Sequence, residues 1–161
     1  MAEISSTRTA FVEALTELIE KDDKVVMVSA DSVAVFRATG LQKQYPGRIV
    51  ECGIAEGSAV MIAAGLASAG MKPFVCAYAG FLTMRAVEQM RTFVAYPHLN
   101  VKFFGANAGM CSGEREGVTH QFFVGGSVLD SPTLGKMLML RSLLLDSMAI
   151  FHLAPRGMFL S

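Results

Sequence analysis

The chain has 161 residues, no formal net charge, 52% hydrophobic residues and only 17% charged ones. That length buries one real core, and so apolar a composition excludes a disordered chain. Balanced charge without a basic cluster speaks against nucleic acid or an anionic membrane as partner, and the apolar excess predicts a surface covered by another protein chain.

Three cysteines, Cys52, Cys76 and Cys111, form neither a close metal-ligand pair nor an even-numbered disulfide framework, which fits a reducing compartment. The first residues lack the apolar run of a signal peptide. The apolar stretch 137–153 is broken by Arg141 and Asp146, a poor membrane span. A soluble cytoplasmic protein forming one domain over 1–161 is expected.

Ser6 or Thr7 can cap a first helix, because Phe11, Ala14, Leu15, Leu18 and Ile19 recur at helical spacing. The continuous apolar run 25–29 reads as a buried parallel strand, and Asp31 and Ser32 follow at its carboxyl end. TyrProGly at 45–47 marks a turn, and 48–52 reads as a second strand. The spacing predicts a helix over 54–69, made mostly of small residues and therefore expected to be buried on several sides, with Gly70 ending it. A third strand over 73–78, a helix over 81–95 closed by Pro97, and a fourth strand over 101–105 complete the pattern. Strands alternating with helices predict an α/β fold, a three-layer α/β/α arrangement on a mostly parallel sheet. In such sheets the loops after the strands carry function, here 29–34, 52–58, 78–83 and 106–121.

Glu56 follows the second strand and opens the small-residue helix. A carboxylate there is either a first-turn charge favoured by the helix dipole or a working group in an apolar crevice, and position alone favours the first. Tyr78 and Phe81 could stack on a flat heterocycle or fill the core, and without further information the core is favoured. His98 reads as a turn residue. His120 ends a long Gly-rich loop and is a candidate proton shuttle or hydrogen-bond donor to substrate. His152 has no role, and the three histidines lack acidic neighbours at ligand spacing, so no metal site is expected within the chain.

GlyIleAlaGlu at 53–56 with IleAlaAlaGlyLeuAla at 62–67 resembles the signature of the transketolase pyrimidine-binding domain around its essential glutamate. SerAlaAsp at 29–31, ProPheValCysAlaTyrAlaGlyPhe at 73–81 and GlyValThrHisGln at 117–121 match further family blocks in order, so the resemblance covers residues 7 to 123. It implies a thiamine diphosphate enzyme that transfers a two-carbon ketol unit between sugar phosphates. Glu56 would hydrogen-bond N1′ of the aminopyrimidine and favour its imino form, which removes the thiazolium C2 proton. Tyr78 and Phe81 would then bed the pyrimidine, Asp31 and Ile54 would lie against the cofactor, and His120 would touch the sugar hydroxyls. Gly57 and Ser58 stand where the family has Gln and Asn, and Val118 where it has Pro.

The sequence carries no GlyAspGly with a following Asn, the family's hold on Mg²⁺ and diphosphate. The resemblance therefore implies a second, diphosphate-binding chain that holds the Mg²⁺, as for the C-terminal subunit of split transketolases, in a homo- or hetero-oligomer. After residue 123 the chain departs from the family, the pattern expected of a truncation or a shift of reading frame near residue 124. A non-catalytic remnant or assembly-only subunit is the competing reading. A component of a 2-oxo acid dehydrogenase or deoxyxylulose phosphate synthase is another, against which ThrHisGln at 119–121 argues.

Overall fold

A computed structural model describes residues 6–107 and a strand at Met148–His152. Helix α1 (Thr7–Lys21) starts where the Ser6 side chain accepts the Thr9 backbone N–H, the cap expected of a serine. It leads into β1 (Val25–Ser29), every residue of which is buried. A short helix α2 (Thr39–Gln44) and a 3₁₀ turn at Pro46–Arg48 then bring the chain to β2 (Ile49–Glu51). Helix α3 (Glu56–Ser68) crosses to β3 (Lys72–Tyr78), which runs directly into α4 (Ala79–Arg85). A single-turn α5 (Val87–Gln89) and a π-helical turn (Met90–Ala95) precede β4 (Lys102–Ala106).

Among the described residues the sheet has five strands in the order β2-β1-β3-β4-β5, where β5 is Met148–His152. The first four are parallel and β5 pairs antiparallel with β4, from Lys102 opposite His152 to Ala106 opposite Met148. The mostly parallel α/β/α arrangement is thus the one the sequence predicts.

Alternation along the strands divides the core between the two faces. Val28, Val75 and Phe103 meet Val60, Ala63, Leu82 and Val94 on the face covered by α3 to the π turn. Met27, Cys76 and Phe104 meet Leu15, Ile19, Phe36 and Leu41 on the face covered by α1 and α2. There Phe11 stacks on Phe104 with centroids 3.8 Å apart and meets Phe36 edge-on at 5.8 Å. Each such side chain contributes about 1.5–3 kcal/mol when taken fully out of water.

Three expectations are corrected. Helix α3 buries Ala59, Val60, Ala63 and Ala64 but leaves Met61 and Ile62 exposed, so within this chain one face is covered rather than several. The apolar run 81–95 is not one helix: it breaks at Ala86 and continues through a π turn that keeps Met90, Val94 and Ala95 inward. In α1, Leu15 and Ile19 are buried as expected, but Ala14 and Leu18 face outward. No described helix is long and apolar enough to cross a membrane.

Candidate active site at the carboxyl edge of the sheet

The chain moves from β1 to β2 on one side and then crosses over to β3 on the other, so the order of strands reverses beside β1. Ligands of doubly wound sheets sit outside the carboxyl ends of the strands at such a switch. Ala30 and Asp31 leave β1 there, and Tyr78 leaves β3.

The loop after β1 is tightly held. Ala30 N–H donates to the Cys76 carbonyl, Ser32 N–H donates to Ser29 Oγ, and Ser32 Oγ donates to the Ala30 carbonyl. Asp31 takes φ +49°, a left-handed conformation that Asp tolerates better than most residues. The loop after β2 turns through Gly53, whose φ of +69° suits a residue without a Cβ. It carries Ile54, 75% exposed, to the head of α3.

Glu56 is the first residue of α3 and is 2% exposed. A carboxylate so buried requires a partner. Arg85, the last residue of α4, supplies it: its Nη1 donates to Glu56 Oε2 at 2.8 Å. The same guanidinium lies over the Phe81 ring, Cζ 4.6 Å from the centroid, and Phe81 meets Tyr78 edge-on at 5.9 Å. The cation–π contact and the ion pair therefore share one side chain, itself 52% exposed. Glu56, Arg85, Phe81 and Tyr78 form a continuous group.

Of the residues singled out in the sequence, Glu56, Tyr78 and Phe81 come together this way, with Arg85 between the carboxylate and the ring. Asp31 and Ile54 lie on the neighbouring loops, and His120 lies outside the described residues. Sequence reasoning missed three participants. Arg85 follows Phe81 by four residues, so a shared helix face was the available signal. Glu51 ends β2 and binds the two loops together through its carboxylate. Gln89 packs its amide against Gly57, where a Cβ would stand 3.5 Å from Gln89 Cδ. Among the described residues no three of His, Cys, Asp and Glu gather as metal ligands. Burial raises the Cys76 thiol well above its ordinary pKa, which marks it as a core side chain and not a nucleophile.

Fold and site together define an α/β/α domain with a buried carboxylate beside an aromatic pair at the switch of its sheet. Residues 4–124 match the transketolase, pyrimidine binding domain family, and the chain belongs to that family. It is similar to one of the subunits of apulose-4-phosphate transketolase from Phocaeicola vulgatus, with 41% identity over 113 residues, a match covering 70% of this chain and 36% of the relative. It is 39% identical over 113 residues to 1-deoxy-D-xylulose-5-phosphate synthase of Fusobacterium nucleatum, covering 68% and 18%. A solved structure described as a split gene transketolase, inactive beta4 tetramer, superimposes with a TM-score of 0.61 at 36% identity, covering 72% of this chain and 36% of that one. The first curated relatives are thus nearly three times as long as the segment they share with this chain.

Proposed function

We propose that this chain supplies the pyrimidine-binding half of a thiamine diphosphate site in a transketolase that moves a two-carbon ketol unit between sugar phosphates. The observation that carries this reading is the buried Glu56 carboxylate at the head of α3, linked through one planar group to the Phe81 ring. The donor set fits the cofactor's heterocycle. A carboxyl group shielded from water makes a strong hydrogen bond to a ring nitrogen with which it shares a proton, and an aromatic ring beside it offers a face for stacking. The bound cofactor supplies a carbon nucleophile that a ketose carbonyl can accept.

Glu56 would hold the proton shared with the pyrimidine N1′ and so bias the ring's amino group toward the form that accepts a proton. Phe81 and Tyr78 orient the ring, and burial around Glu56 keeps water from competing for it. Mg²⁺ and the diphosphate fall to a diphosphate-binding chain, a reading supported by the likeness to subunits of split transketolases. Calorimetry with thiamine diphosphate and Mg²⁺ tests the reading, on this chain alone and then with a diphosphate-binding transketolase chain. Binding in the mixture only is expected, and no binding in either case overturns it.

The likeness to a deoxyxylulose phosphate synthase favours one second reading, in which the same site serves a 2-oxo acid donor. Turnover of pyruvate and not of a ketose phosphate by the assembled complex would select it.

A further inference from the structure

The Glu56–Arg85 pair has a geometry that the proposed reaction does not use. Arg85 directs one guanidinium edge at the Glu56 carboxylate, 2.8 Å away, and one flat face at Phe81, 4.6 Å from the ring centroid. An aminopyrimidine bound as proposed makes the same two contacts: its N1′ edge on the Glu56 carboxyl group, sharing one proton, and a π face on the aromatic ring. Guanidinium and pyrimidine are both planar, both hydrogen-bond along an edge and both stack. They cannot occupy that place together.

Burial explains why the chain needs an occupant. Glu56 is 2% exposed, and a buried carboxylate without a partner is costly. Arg85 is able to leave: it ends its helix, its side chain is 52% exposed, and its long stem can swing the charge into water. We infer that Arg85 holds the pyrimidine seat in the unloaded chain and that the arriving cofactor displaces it. This rests on the proposed function, since it assigns the seat to the same heterocycle. The consequence is a built-in competition in which every bound cofactor must first break the Glu56–Arg85 pair, lowering its apparent affinity. A residue that merely braced the site would raise affinity by its presence. A placeholder lowers it.

The test compares thiamine diphosphate binding, with Mg²⁺, by this chain assembled with its diphosphate-binding partner, as wild type, Arg85→Met and Arg85→Lys. Methionine keeps an apolar stem without donors. Lysine keeps a charge for Glu56 but cannot stack as a plane, and guards against a variant that fails to fold. Losing a half-exposed ion pair as competitor tightens binding about two- to fivefold in Arg85→Met, with Arg85→Lys between it and wild type. Nitrogen NMR of the arginine side chains in the wild-type complex provides a second reading: the Arg85 guanidinium signals shift on cofactor addition to values of a solvated group. Unchanged or weaker cofactor affinity in both variants, or Arg85 signals that ignore the cofactor, overturns the inference while leaving the proposed function standing. Absence of cofactor binding by the wild-type complex overturns both.

Discussion

Glu51 Oε1 accepts the backbone N–H of Asp31 at 2.6 Å, so the last residue of β2 ties down the loop that leaves β1. The same oxygen accepts the Gly53 N–H at 3.1 Å, which fixes the start of the loop that delivers Glu56. One carboxylate thus sets the spacing of two loops at the carboxyl edge. Replacing it by Ala leaves two N–H groups to water and costs about 1 kcal/mol of stability. Amide hydrogen exchange of 30–32 and 52–55 should accelerate in Glu51→Ala and be largely restored in Glu51→Gln, which keeps an acceptor oxygen.

Glu56→Gln keeps the shape of the side chain and removes its charge. It should slow exchange of the cofactor's C2 proton about a hundred- to ten-thousandfold in the assembled complex, the usual contribution of a positioned acid–base group. Proton exchange followed by NMR reads this directly, and a normal exchange rate would return Glu56 to the role of a first-turn helix charge.

Phe81→Ala removes the face on which Arg85 now lies and on which the pyrimidine would stack. Loss of one aromatic contact weakens cofactor binding about tenfold. Calorimetry on the complex checks it, and unchanged affinity would mean that Phe81 only fills space beside Tyr78.

Asp22 lies beneath the sheet's amino edge, where Lys72 Nζ donates to its Oδ2 at 2.5 Å. The Lys72 hydrogen bond, with the Lys24 backbone N–H, holds the carboxyl below its ordinary 3.8. A depressed carboxyl stabilises the fold in full above about pH 4, and the contribution is lost as pH falls through the folded value. Thermal unfolding of Asp22→Asn should therefore lie below wild type at neutral pH and converge with it in acid; a constant gap down to about pH 2 would contradict the pairing.

Phe36 is fully buried between α1 and the sheet, edge-on to Phe11 and tilted against Phe104. Phe36→Ala leaves a cavity in that layer and should cost about 3–5 kcal/mol in denaturant unfolding. A loss below about 1 kcal/mol would mean that the α1 layer collapses to fill the space.

Legibility in the sequence followed from how far a pattern depends on local chemistry. Val25–Ser29 is apolar because both faces of the central strand are covered, and such a run can be read without a structure. Helix α2 has one buried side chain, Leu41, and a glycine within it, so neither period nor propensity marks it. The break at Ala86 carries no Gly or Pro to mark it, and Leu82, Met90 and Val94 on its two sides pack into one cluster with residues of α3. Position alone marked Glu56 as a first-turn charge and only the family signature as a working group, because the sequence does not show that it is buried. Arg85 escaped because its meaning lies in a contact across 29 positions.

The order of the strands also has a consequence for synthesis. Asp31, Glu51, Glu56, Tyr78, Phe81 and Arg85 all belong to the β1–β3 half of the sheet, which leaves the ribosome before β4 exists. In that interval β3 shows an open edge on the side that Lys102–Ala106 will take. An apolar strand with unpaired N–H and C=O groups is a template for the same strand of another nascent chain. The segment that builds the site is thus also the one most exposed to mispairing, until Phe103 and Phe104 arrive to close it.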